Sequence, residues 1–146
     1  LLERRRRGGG GAPVSPGGVE CVVASMRAHT EQGEVQRWGV AALWALVDAG
    51  GQAVATAIAE SRGIEAIAEA MRALPDAAEV QERGLGALFG LLAEGSVADA
   101  QAVVDQGGFE AAQAALAGHA GSEEVQRWGE AVVDIVLEMI PVQGES

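Results

Sequence analysis

The sequence predicts an all-α chain built as a right-handed α-solenoid of about eight helices, and three observations carry that prediction. The hexamer "EVQRWG" stands at 34–39 and again at 124–129, with "EVQERG" midway at 79–84, so the spacing is 45 residues. The same offset aligns Gly18, Gly63 and Gly108; Glu20, Glu65 and Glu110; Met26, Met71 and Leu116; and Gly39, Gly84 and Gly129. Apolar residues make up 49% of the chain and aromatics only 3%, a composition that favours helices packed at close range through small side chains. A period of 40 to 47 residues is that of helical units too small to bury their apolar side alone, which stack to do so.

Taken in order, residues 1–16 ("RRRRGGGGAPVSP" within them) have the composition of a disordered Arg/Gly/Pro-rich tail or linker. Residues 17–140 hold the repeats: a partial one at 17–50, then 51–95 and 96–140, leaving 141–146 as a C-terminal tail. The first helix of a unit is expected at 52–60 and 96–106, where Ser96 with Asp99 forms a capping pair. The second is expected at 18–28, 63–73 and 108–118. The third and longest begins at each "EVQ", and Asp76 followed by Glu79 offers a cap to the middle copy. The first unit lacks its own first helix and the sequence opens at Leu1, which predicts either a module of a longer chain or an end that self-associates.

At 100° per residue, Val35, Ala42, Leu43 and Leu46 share a core-facing side of the third helix, and Gly39 lies on it. A mid-helix glycine costs about 1 kcal/mol against alanine, so Gly39, Gly84 and Gly129 at one register predict the close approach of another helix backbone. A duplication that has not drifted is the alternative.

The stretch "GIEAIAEAMRALPDAAEVQERGLGALFGLLAEG" at 63–95 resembles an armadillo repeat, particularly the ARM-like repeats of leucine-rich-repeat kinases and related protist proteins. The likeness extends over about 17–140. It implies a non-catalytic protein–protein interaction scaffold that binds a peptide or helix on its concave face, as a module of a larger signalling protein. Peptide-binding armadillo proteins carry a Trp on the third helix and an Asn four residues later. Those positions here are Ala41, Gly86 and Ala131, then Ala45, Gly90 and Ile135, and the chain has no Asn. Recognition of the importin type is therefore not expected.

Helical arithmetic places Arg37, Trp38, Ala41, Ala45 and Asp48 near the side of Glu34 that the resemblance makes concave. Trp38, Arg83 and Trp128 are equivalent, giving a row of hot-spot residue types with Glu34, Glu79 and Glu124 beside it, and this row is the expected partner-facing surface. The competing reading has each Trp packed on the next unit, with Arg83 stacked between them. Trp44 and Phe89 share a flanking position and are expected to pack.

The net charge is −11 although four of the ten arginines lie at 4–7, so the body suits a basic protein or peptide and repels polyanions. Weak nucleic-acid association through the arginine tail is the alternative partner reading. Neither cofactor nor metal is expected, and no enzyme. His29 and His119 occupy equivalent loops two units apart, roughly 20 Å at about 10 Å per packed layer. Cys21 aligns with Ala66 and Ala111, which predicts a small buried side chain, and the tetraglycine at 8–11 lacks the context of a phosphate loop. A single thiol and no signal peptide predict an intracellular chain, with cytoplasm and nucleus not distinguished. No apolar run reaches the 18 or so residues of a membrane span.

Overall fold

The computed structural model of the chain describes residues 16–139. The predicted tails, Pro16 apart, lie outside the described residues, and so does Ile140. Seven helices account for the described fold, and no strand occurs among the described residues: α1 (Pro16–Ala28), α2 (Gly33–Glu60), α3 (Gly63–Ala73), α4 (Ala78–Glu94), α5 (Val97–Asp105), α6 (Gly108–Gly118) and α7 (Glu123–Met139). The expected all-α class is what forms. The count falls one short of eight because two expected helices, one ending near 50 and the next beginning at 52, run together as α2. They join through Gly51, at φ 63° and ψ −143°, a backbone region that side chains disfavour and glycine enters freely. The backbone leaves the helical region at Gly51, so α2 is two contiguous helical segments meeting at a kink.

The helices fall into two packed rows. In one, α1 lies against α3 and α3 against α6; in the other, α2 lies against α4 and α4 against α7. Each member of the first row also packs on its neighbour in the second, and α5 fills in beside α4 and α6. Met26, Leu43, Ile58, Ile64, Ile67, Leu85, Leu88 and Leu91 form the fully buried centre of the interior between the rows. The start of α5 has the expected capping box, Asp99 N donating to Ser96 Oγ at 3.2 Å and Ser96 N donating to Asp99 Oδ2 at 3.0 Å. The cap expected from Asp76 does not form: Ala77 occupies the N-cap of α4, and no side chain caps that helix.

The glutamine of "EVQ" proves to be structural. Gln81 Nε2 donates to the carbonyl oxygens of Met71 and Leu74, both at 3.0 Å. Gln36 does the same for Met26 at 3.0 Å and His29 at 2.8 Å, and Gln126 for Leu116 and His119 at 2.9 Å each. The last carbonyls of a helix have no partner within it, and one amide group with two N–H donors reaches two carbonyls at once, the second of which also accepts a backbone N–H of the following loop (Gln32, Ala77 or Ser122). Burial of Gln36 and Gln81, at 4% and 3% exposure, makes that service hard for water to replace. So the hexamer starts one helix and closes the end of the one before it.

The three equivalent glycines do meet a close neighbour, but the neighbour is a side chain and not the expected helix backbone. A Cβ on Gly39 would collide with the Met26 side chain, one on Gly84 would lie 2.6 Å from Met71 Sδ, and one on Gly129 would lie 2.6 Å from Leu116 Cδ2. Each glycine is the socket for the apolar residue at the equivalent place in the adjoining helix of the first row. Gly84→Ala is expected to lower stability by about 1 kcal/mol, because overpacking of about 1–3 kcal/mol outweighs the helix-propensity gain of about 1 kcal/mol. The midpoint of urea unfolding measures this, and in a Met71→Ala background the same change should stabilise.

Cys21 departs from expectation. It is exposed, whereas its equivalents Ala66 and Ala111 are buried at 2% and 3%. Ala66 sits on α3 beneath α1 and Ala111 on α6 beneath α3, while none of the described residues covers that side of α1. Contrary to the reading by apolar runs, α2 is long and apolar enough to cross a membrane by length and composition, with 28 residues and a mean hydropathy of 1.3 over its best window. In this fold it is bent, and its Val40, Leu43, Val47, Val54 and Ile58 are core residues.

Candidate functional site

The helices of the second row bring the sequence-predicted residues to one side of the molecule but treat them differently. Trp38, in the second turn of α2, is 51% exposed. Arg37 beside it turns toward the next helix of the row, where its Nε donates to Glu79 Oε2 at 3.1 Å. Glu34 and Arg83 are exposed, and Glu124 is held within α7 by Arg127 at 3.0 Å. Trp128 is half-buried, with its ring centroid 5.8 Å from that of Trp44 at 81° and 5.3 Å from that of Phe89 at 63°. Among the described residues these are the aromatic contacts, and Arg83 takes no part in them. Trp38 and Trp128 are thus equivalent in sequence and unlike in surroundings.

Edge-to-face pairs of this kind place the positive ring edge of one partner on the negative face of the other, worth about 0.5–1.5 kcal/mol beyond area burial. What lets Trp44 reach across α4 to Trp128 is Gly86. A Cβ there would stand 2.6 Å from Trp44 Cε2, and one turn later a Cβ on Gly90 would stand 2.8 Å from Val47 Cγ1. Gly86 and Gly90 thus form a bare stretch of α4 on which α2 lies. Sequence reasoning assigned Trp44 to packing and missed that it frames an opening; the two glycines were the available signal.

The opening is a recess of about 240 Å3 lined by Ala41, Trp44, Ala45, Asp48 and Trp128. A second recess of about 130 Å3 adjoins it and adds Phe89, Gly90 and Glu94 to the lining. A larger hollow of about 360 Å3 lies between α3 and α6, floored by Ala111, Ala114, Ala115 and Gly118, and has no aromatic wall. The aromatic recess is the better-built of these, because two rigid rings and a carboxylate converge on it.

Elsewhere the polar groups are engaged structurally. The Glu65 carboxyl is held below the usual carboxylate range by hydrogen bonds from Arg62 and then Arg27, at 3.2 Å and 3.0 Å. His29 is exposed in its loop as expected. His119 is not a bare loop histidine, since its Nε2 lies 2.7 Å from the carbonyl of Pro75; an oxygen that can only accept fixes the proton on Nε2. Among the described residues no group of three or more His, Cys, Asp or Glu is placed to hold a metal.

No protein-family model matches the chain, and no curated protein matches it significantly. Among solved structures, the crystal structure of an engineered protein from a structural genomics consortium is similar, with 26% identity and a TM-score of 0.70. The match covers 84% of this chain and 47% of that one, so this chain spans about half the length of the structure it resembles.

Proposed function

We propose that the chain is a non-catalytic interaction scaffold, an α-solenoid of armadillo type with a 45-residue period, whose second helical row forms a concave face for a basic peptide or helix. The glutamine clamps and glycine sockets that recur every 45 residues support the repeat reading. The observation that carries the binding reading is the half-exposed Trp38 on the same helical side as the aromatic recess, within a body rich in carboxylates. A large indole left in water on a surface that otherwise buries its aromatics gains free energy when a partner covers it. A module of a larger signalling protein is the setting this reading suggests.

The test is titration of short labelled basic, neutral and acidic peptides by fluorescence anisotropy. Basic peptides are expected to bind tightest, and Trp38→Ala is expected to weaken them about 30-fold, the equivalent of about 2 kcal/mol at a hot spot, without moving the melting temperature. Equal binding of acidic and basic peptides, or an unaltered affinity in Trp38→Ala, overturns the reading.

A second reading, self-association, is favoured by Leu137. It is 50% exposed, while its equivalents Val47 and Leu92 are buried at 1% and 3%. Light scattering of the wild type and Leu137→Glu decides it, because a dimer that the charge abolishes supports this reading and a wild-type monomer at high concentration ends it.

A further inference from the structure

A ring that stands edge-on to another leaves a corner bounded by one face of each. Trp44 and Trp128 stand this way at 81°, and both line the recess with Ala41, Ala45 and Asp48. Each ring face is the negative part of the indole quadrupole, so a cation within about 6 Å of both centroids is attracted by both. Asp48 adds a full negative charge at the edge of the corner, and Glu94 adds another in the adjoining recess. Neither carboxylate is in an ion pair among the described residues; the pairs found there join Arg27 and Arg62 to Glu65, Arg37 to Glu79, and Arg127 to Glu124. Contact between Trp44 and the bare backbone at Gly86 presets one wall, so little ordering is required when a guest arrives.

The lining also selects among cations. Indole N–H groups only donate, alanine side chains offer nothing, and the carbonyls of Ala41, Trp44 and Ala45 lie within the first helical segment of α2, which leaves the Asp48 carboxylate as the one acceptor side chain in the recess. A lysine ammonium brings three N–H donors and a guanidinium five, and most would go unmatched against the rings. A quaternary ammonium brings none, and its methyl groups suit aromatic faces. We propose that the Trp44–Trp128 corner is a subsite for a quaternary ammonium, the trimethylated lysine side chain of a partner peptide. This rests on the reading of the second helical row as a peptide-binding face. Ala41 and Ala45, one turn apart on α2, leave room for the lysine methylenes, and Trp38 lies one turn before Ala41 to meet a neighbouring residue of the same peptide.

The experiment follows the indole N–H signals of Trp38, Trp44 and Trp128 by nitrogen-15 NMR on the full chain. The titrants are tetramethylammonium, a peptide with trimethyllysine, the same peptide with lysine, and its neutral isostere with carbon in place of the ammonium nitrogen. Tetramethylammonium should move Trp44 and Trp128 and leave Trp38. The trimethyllysine peptide should bind about tenfold tighter than the neutral isostere, and tighter than the lysine peptide. Asp48→Asn, at an exposed position, should weaken it about fivefold with the melting temperature unchanged. Equal binding of the neutral isostere, or tighter binding of plain lysine, overturns the subsite; if basic peptides still bind, the scaffold reading stands. Movement of the two signals by tetramethylammonium with no binding of any peptide overturns the peptide source, and movement by phosphatidylcholine vesicles reassigns it to a lipid headgroup.

Discussion

Replacing Trp128 by alanine is expected to cost about 2–3 kcal/mol, below the range for a fully buried aromatic because the ring is half-buried, and including two lost edge-to-face contacts. Trp128 is the ring on which both Trp44 and Phe89 close, so its removal opens the seam between the first and last members of the second row. Trp38→Ala, at the equivalent position, removes an indole that is 51% exposed and should leave stability within about 0.5 kcal/mol. Calorimetric melting of the two variants side by side measures the contrast. Equal losses would mean that equivalent sequence implies equivalent surroundings after all, and the description of the aromatic seam would be wrong.

Gln81→Met should lower stability by about 1–3 kcal/mol. The substitution keeps the volume and removes both N–H donors, leaving the Met71 and Leu74 carbonyls without them in a site only 3% exposed. A buried polar group left unsatisfied costs about 1–3 kcal/mol, and this falls on the Met71 carbonyl, since Leu74 keeps the Ala77 N–H at 3.1 Å. The same change at Gln126, which is only partly buried, should cost less because water can reach the carbonyls. Denaturant unfolding gives the energies, and hydrogen exchange in the last turn of α3 locates the damage. A neutral Gln81→Met would show that the clamp accompanies the fold without supporting it.

How much of this could be read beforehand depended on distance along the chain. Helix spans were legible because apolar spacing and "EVQ", "AGG" and "EGS" punctuation act within a few residues; even the Ser96–Asp99 cap was visible. Gly39, Gly84 and Gly129 announced a tight contact, yet a glycine reports only that space is taken and not whether backbone or the Met71 side chain takes it. Gln81 escaped notice because a polar residue on an apolar side reads as noise until the carbonyls it serves, seven and ten residues earlier, are brought beside it. The recess was least legible. Its walls come from residues 44 and 128, and what aligns them is the missing side chain of a third helix, a condition no local pattern expresses.

The bend at Gly51 bears on how the chain can be divided. The two segments of α2 meet at Gly51 with no loop between them, so a cut near residue 50 would fall where one helical segment passes directly into the next. By contrast the backbone at Gly95 is extended, and a new helix starts immediately after with its own cap. Melting of α1 to α4 should accordingly register as one event, and shortened versions of the protein will survive best when trimmed at the Gly95–Ser96 joint.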